Sequence, residues 1–370
     1  MFQTRHGMLP AATHDEFARQ EFCATLRKIF TTELWPANRD LYDQRQLPAF
    51  VAKHGRAPET FREARTLMEE TFYWRGTNLM GRAAQELLWD EVGESVERQL
   101  DELNLRAGAV PKVGGTLRVN PLLKMPKYVD AVDIHVMPGN FQTELTRDDV
   151  FAGALYDRGV YVFSYGGLGP QNEGLGVTMS GFLRAQFPDF QPARILDIGC
   201  GPGFTTVPFA DAFPQSEVHA LDIGAPQVRY AHRRAESLGK RIHFSQQDGT
   251  HTDYPDGHFD LVYTCLVLHE CPVPVIRGIF KEAHRLLRAG GIMLHDGGTV
   301  PMTDPGGQLM TSFFGHNANE PFSVGMLDLD YRSAFIEAGF AESKFFEGRC
   351  PPAYLKEQLK FVSYVGSIKT

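Results

Sequence analysis

The sequence lacks paired cysteines, long apolar runs and basic tracts, and each absence removes a class of function. Its five cysteines, Cys23, Cys200, Cys265, Cys271 and Cys350, are odd in number and include no C-x-x-C pair. That argues against a disulfide-framed module and against a zinc knuckle, and reduced thiols are expected instead. No segment approaches the run of about eighteen apolar residues that a membrane span needs, so no membrane partner is expected. The opening Met1–Pro10 stretch is too poor in apolar residues for a signal peptide, which makes the cytoplasm the expected location. Lys and Arg number 37 against 45 Asp and Glu, a net charge of −8, and no Lys/Arg run stands out. No nucleic-acid partner is therefore expected. Repeats and low-complexity tracts are absent as well.

What remains is a chain of 370 residues, long enough for two domains with substantial cores. From Thr13 the pattern is helical. Thr13 and Glu16 have capping-box spacing, and Phe22, Leu26, Ile29 and Phe30 recur on one face near Phe17. This helix is expected to stop before Pro36, with a loop through Pro48, Gly55 and Pro58. Further helices are expected over 61–72 and 78–103. Between Gly108 and Phe141 the periodicity fades, and short strands are expected at 116–119 and 129–136. The N-terminal helical part is assigned to residues 1–146, as a cap over a substrate pocket or a dimer interface.

The second part, 147–370, is organised around Ala193-Arg-Ile-Leu-Asp-Ile-Gly-Cys-Gly-Pro-Gly-Phe204. Ile195, Leu196 and Ile198 form an apolar strand, and a glycine-dense turn then leads into an amphipathic segment. Gly199, Gly201 and Gly203 let the backbone approach a ligand closely, and the following helix offers free N–H groups. Cys200 is small enough to fit inside the turn. Strands and helices alternate from Ile195 onward, the pattern of a doubly wound parallel sheet. Strands are expected at 218–223, 242–245, 259–266, 292–295, near 343–346 and at 361–368, with Ala289-Gly-Gly291 capping the helix before the fifth.

The spacing G-x-G-x-G departs from the dinucleotide fingerprint, whose sixth position would be Phe204. It resembles the first motif of class I S-adenosylmethionine (SAM)-dependent methyltransferases, and Asp222 and Asp248 follow at the ends of the next two strands. The resemblance covers roughly residues 190–370 and implies an α/β fold, a Rossmann-like seven-stranded doubly wound sheet, carrying the N-terminal mainly helical domain. It implies that SAM is held by Asp197, Gly199, Cys200, Gly201, Gly203, Asp222, Ile223, Asp248, Gly249 and Leu266. Within that set, Asp197 and the turn would hold the aminoacyl part, Asp222 the ribose diol and Asp248 the adenine amino group. Leu287-Arg-Ala-Gly-Gly291 resembles the family's L-x-P-G-G stretch with Ala289 in place of proline.

The same resemblance, to small-molecule O-methyltransferases, makes His269 a candidate general base. Imidazole titrates near working pH, and a hydroxyl is a poor nucleophile until its proton is removed. Glu270 and His295 are the other catalytic candidates. Asp304-Pro-Gly-Gly-Gln-Leu309 resembles a stretch found after the fifth strand in these enzymes, and Tyr165, Met302, Phe313 and Phe314 are candidates for an apolar acceptor site. His269, Glu270, His295 and Asp296 are of metal-ligating type, but sulfonium methyl transfer needs no metal and none is expected. Two other readings stay open: an NAD-dependent oxidoreductase, for which Asp248 has no use, and a non-catalytic SAM-binding scaffold. A small-molecule substrate and a homodimer complete the expected partners.

Overall fold

The computed structural model describes residues 2–296, 304–354 and 361–370. Its centre is an eight-stranded sheet of β1 (Thr116–Arg118), β2 (Arg194–Ile198), β3 (Glu217–Asp222), β4 (His243–Gln246), β5 (Phe259–Cys265), β6 (Leu287–Asp296), β7 (Phe345–Cys350) and β8 (Val362–Ile368). The spatial order is β1-β4-β3-β2-β5-β6-β8-β7. Every pair from β1 to β6 is parallel, and β8 runs antiparallel between β6 and β7. This is the doubly wound layout, with the winding reversing between β2 and β5, where such sheets bind ligands. The eighth strand, β1, comes from the N-terminal part: a strand was expected there, but not as a member of this sheet.

Both faces of the sheet are covered, so its strands are apolar on both sides. Along β6, Met293 packs into the cluster under the Val273–Leu286 helix, while Ile292 and Leu294 pack into the cluster under the Gly174–Gln186 and Ala225–Ser237 helices. The period of two along the strand is what divides the core into two. The Ala289-Gly-Gly291 run does not cap the preceding helix, which ends at Leu286. The glycines sit inside β6, where Phe259 pairs with Leu287 and Leu261 with Ile292, and take up the resulting bulge with Gly290 at φ 77°.

The N-terminal layer differs most from expectation. Helical turns run on through Pro36 to His54, as α segments His14–Ile29, Trp35–Leu41 and Leu47–His54 separated by π segments Phe30–Leu34 and Tyr42–Gln46. Pro36 and Pro48 each fall in the first turn of the α segment that follows a π segment. A missing N–H is tolerated where the hydrogen-bond register is already changing, so neither proline ends the helix. The buried face of the first segment is also not the apolar one. Glu16, Gln20, Cys23 and Arg27 point inward, while Phe22 is 60% exposed and Ile29 39%. Polar partners fix this choice: Gln20 bonds Ser95 and Arg158. The strand expected at 129–136 is replaced by short helical turns, because His135 (φ 59°) and Val136 (φ 61°) adopt left-handed backbone that a strand excludes.

The long Phe72–Glu97 helix packs on the His14–Ile29 helix and on the Phe151–Phe163 helix, so the N-terminal layer is seated directly on the sheet half. Contact is closest at Gly159, where a Cβ would stand 2.1 Å from the Trp89 ring. The boundary expected at 146/147 falls in a loop ahead of that helix. Asp157 on the same helix ties the chain start to the sheet layer. Its carboxylate is fully buried and accepts from Gln3 Nε2 (2.8 Å) and Tyr230 OH (2.8 Å), with His6 Nε2 at 3.0 Å and Arg234 Nε at 3.4 Å. Burial opposes this charge, but His6 and Arg234 outweigh it and hold the carboxyl below its usual value.

Two outcomes follow. Asp157→Ala strands several buried donors at once and should lower the unfolding free energy by about 3 kcal/mol, read as a lower urea midpoint at unchanged slope. Glu16 accepts from Arg98 through both oxygens and closes the capping box with Thr13, and Arg98 chiefly holds its pKa down at about 2. A folded-state value below the unfolded one stabilises at higher pH and is lost as pH falls. The stability gap between wild type and Glu16→Gln, from denaturation curves, should be full above pH 4.5 and vanish near pH 2.

Candidate functional site

A cleft partly open to solvent lies at the carboxyl ends of β2, β3, β4 and β5. Its floor is the glycine turn. Gly199, Gly201 and Gly203 have φ of 76°, 49° and 80°, which residues with a Cβ rarely adopt. At Gly199 space forbids it too, since a Cβ would meet Val267 Cγ2 at 2.4 Å. The turn therefore presents bare backbone to the cleft, just ahead of the Thr206–Ala212 helix.

Asp222 ends β3 at the rim. One oxygen accepts from Gly201 N and the other from Gly224 N, both at 2.9 Å. Burial pushes its pKa up, against these backbone donors. Each oxygen keeps acceptor capacity for a diol. Asp248 also lines the cleft, with Oδ1 accepting from Thr250 N and Oγ1 at 2.8 and 2.7 Å. Ile223, Gly249, Cys200 and Leu266 are at the wall as well. Leu266 holds a left-handed backbone, φ 52°, with its N–H given to Asp296 O. Strain of this kind concentrates at binding sites.

Asp197, in contrast, is not at the cleft wall. It is buried beneath the turn, where Thr205 and Thr206 hydroxyls donate to Oδ2 at 2.9 and 2.6 Å. Oδ1 has no partner among the described residues, and burial raises the pKa to about 6. Its evident part is to anchor the turn from below. The Cys200 thiol is pushed well up by burial, which suits a packing residue and not a nucleophile.

The lid comes from residues that sequence patterns did not single out. Tyr156, on the Phe151–Phe163 helix, lies near-parallel to Phe204 (ring centres 6.2 Å) and meets Phe141 edge-on (5.3 Å). Tyr128, its hydroxyl 3.9 Å from Cys271 Sγ, closes the other side. Tyr165, expected here, does not line the cleft. Phe313 packs among Phe30, Trp35 and Trp74 of the helical layer, with centroids 5.2, 3.6 and 6.3 Å away, and is 3% exposed. Its helix, Pro305–Asn317, lies against the Phe61–Glu69 helix, which draws the ring away from the cleft. Met302 and the Phe314 side chain lie outside the described residues.

At the far end of the cleft, past Leu266 and Val267, the chain forms a buried charged group. Glu270 Oε1 is 2.8 Å from His135 Nε2 and 3.0 Å from His269 Nε2, and His135 Nδ1 is 2.9 Å from Glu320 Oε1. Burial disfavours charge on His135, but the two carboxylates prevail and lift its pKa to about 10. Burial likewise opposes the Glu270 charge, and the imidazoles prevail, holding it near 2. His269 is also raised, its neighbour Glu270 overcoming burial. His295 stands apart, buried beside Tyr331, with Nδ1 2.9 Å from Thr264 Oγ1; burial drives its pKa down to about 3, so it is neutral. His135 and Glu320 carried no sequence signal, since one lies in an aperiodic segment and the other in a loop before Pro321.

Residues 195–291 match the family model described as a methyltransferase domain. Among curated relatives, the malonyl-[acyl-carrier protein] O-methyltransferase of Legionella pneumophila is 27% identical over 113 residues, 30% of this chain and 39% of that protein. The protein of the same name from Pseudescherichia vulneris is 33% identical over 109 residues, 30% of this chain and 40% of that one. The chain thus spans about two fifths of the length of these relatives. The phosphoethanolamine N-methyltransferase 2 of Haemonchus contortus, solved with S-adenosyl-L-methionine, covers 58% of this chain and 57% of its own at 15% identity and a TM-score of 0.42. Over residues 195–291 the chain is thus similar to a methyltransferase domain, and this segment contains the G-x-G-x-G turn together with Asp222 at the end of β3 and Asp248 just past β4.

Proposed function

We infer that this protein transfers the methyl group of SAM to an oxygen of a small-molecule acceptor. The observation that carries the reading is the cradle, with left-handed glycines beneath a cleft that Asp222 and Asp248 enter from successive strand ends. The donor supplies an electrophilic methyl on a sulfonium, and this chain's residues bind, orient and exclude water. Asp222 accepts from the ribose hydroxyls, Asp248 from the adenine amino group, and the backbone of the turn holds the aminoacyl end above Asp197. Tyr156, Phe141 and Tyr128 roof the cleft and keep water out.

An oxygen acceptor is supported by the group at the far end. Glu270 lines the cleft, and its Oε2 is buried with no partner among the described residues. An acceptor hydroxyl donates a hydrogen bond to that oxygen, and the neutral form of His269 beside it takes the proton as the methyl is transferred. His269, the expected base, acts in this group through its 3.0 Å link to Glu270. The O-methyltransferase relatives favour the same acceptor atom. The homodimer remains a proposal, with Phe72 (86% exposed) and Leu79 (72%) two helical turns apart as the surface offered. Among the described residues no helix is long and apolar enough to cross a membrane.

Asp222→Ala removes charged hydrogen bonds of about 1.5–3 kcal/mol and should weaken SAM binding roughly ten- to a hundredfold by calorimetry. Unchanged SAM affinity, or tighter binding of NAD than of SAM, would refute the cofactor assignment. With a turned-over acceptor in hand, His269→Ala should lower kcat by at least about a hundredfold, and retained turnover would leave His269 a structural residue.

A further inference from the structure

Glu270 and His269 come from the turn after β5, whereas His135 comes from the N-terminal part, so three donor atoms reach one point from two sides of the cleft. His135 Nε2, His269 Nε2 and a Glu270 carboxylate oxygen all lie within 4.8 Å of one another. We propose that His135, His269 and Glu270 form a binding site for a divalent transition-metal ion, with Glu320 fixing the His135 ring from behind.

The geometry suits such an ion. Ligands of tetrahedral zinc stand about 2.0–2.2 Å from the metal, which sets them about 3.3 Å from each other. The two imidazole nitrogens already stand 2.8 and 3.0 Å from Glu270 Oε1. Side-chain shifts of roughly half an ångström open that group around a metal of this size. Binding displaces the protons from Nε2 of His135 and His269 to solvent, and the resulting two neutral imidazoles and one carboxylate are a donor set that zinc and ferrous iron both accept, leaving a position for water or a substrate oxygen. Glu320's charge lies near Arg27, a buried guanidinium. A cation therefore meets chiefly the charge of Glu270.

The surroundings are built to hold the site. A ligating histidine commonly gives its other ring N–H to a carboxylate, which sets the tautomer and frees the remaining lone pair for the metal. His135 has this arrangement, with Nδ1 2.9 Å from Glu320 Oε1. Its main chain is held as well: the carbonyl accepts from Trp89 Nε1 at 2.6 Å and Gln85 Nε2 at 2.7 Å, both on the Phe72–Glu97 helix. That clamp maintains left-handed backbone at His135 and at β-branched Val136, a strain that persists where surrounding structure demands it. Lastly, Glu270 Oε2 is buried without a partner among the described residues, free to chelate or to meet the acceptor.

The site adjoins the cleft of the proposed methyl transfer, and only its consequence rests on that reading. An acceptor hydroxyl that coordinates the ion has its pKa lowered and gives its proton to water at the open side of the cleft, so that no protein base is needed. Metal binding itself is read without any turnover.

The test uses the full chain, stripped with chelator and titrated with zinc or cobalt(II), with metal content by mass spectrometry and binding by calorimetry. One equivalent per chain is expected, and cobalt should give the visible ligand-field absorption of a four- or five-coordinate site. His269→Ala and Glu270→Gln should each weaken binding at least tenfold, and Glu320→Gln, which leaves the three ligands in place, about tenfold. Circular dichroism identifies any variant that fails to fold, and a folded variant of the other ligand then decides. No binding by wild type, or binding unchanged in folded ligand variants, overturns the site and leaves an ion-paired group with His135 protonated. SAM affinity, measured in parallel, separates the two ideas: SAM bound without metal refutes only the site, and metal bound without SAM refutes only the methyl-transfer reading.

Discussion

Glu270 Oε1 is the atom on which the two halves of the structure converge. It lies on the short turn after β5 and is approached by one imidazole from its own turn and by another from the N-terminal layer. A carboxylate this deeply buried is tolerated only when cations or donors surround it. The partner from the N-terminal layer is itself fixed by Glu320 and by two donors from the Phe72–Glu97 helix. The helical layer is thereby registered on the sheet by a charged contact beside the cleft as well as by apolar packing over the Phe151–Phe163 helix.

The donor end of the cleft is governed by backbone conformation. Gly199 and Gly201, in left-handed geometry, bring main-chain atoms to the cleft surface, while Gly203 lies behind them against Phe244, and Asp222 braces the turn by accepting from Gly201 N while presenting the same carboxylate to the cleft. Asp197 supports the turn from the opposite side through the two threonines that open the next helix. One acid is thus directed at the cleft and one at protein, although both lie at the carboxyl ends of neighbouring parallel strands. Their difference lies in burial: Asp197 is 2% exposed, and Asp222 stands at the rim.

The readable parts of the chain were those where chemistry is local. The glycine turn, the acids after β3 and β4, and the alternation of apolar strands with amphipathic helices all rest on neighbours within a few residues, so spacing alone located them. The Thr13–Glu16 capping box was legible for the same reason. Reading failed where distant partners overrode local preference. Pro36 marks a helix stop unless the helix widens into a π segment just before it, and Phe22 marks the inner face unless Gln20 and Arg27 find buried partners on other helices. Phe313 suited an apolar acceptor by type, yet the aromatic cluster around Trp35 and Trp74 took it up.

The sequence by itself determined the doubly wound sheet, the place of the glycine turn and the two acids, Asp222 and Asp248, that line the cleft above it, because backbone freedom at glycine and the period of strands are properties of short segments. Tertiary structure alone decided who shares the acceptor end with His269. His135 precedes His269 by 134 residues and Glu320 follows it by 51, and neither carries a local motif. Only packing of the helical layer brings them within hydrogen-bond distance, since buried charges attract their partners through space and leave no pattern along the chain.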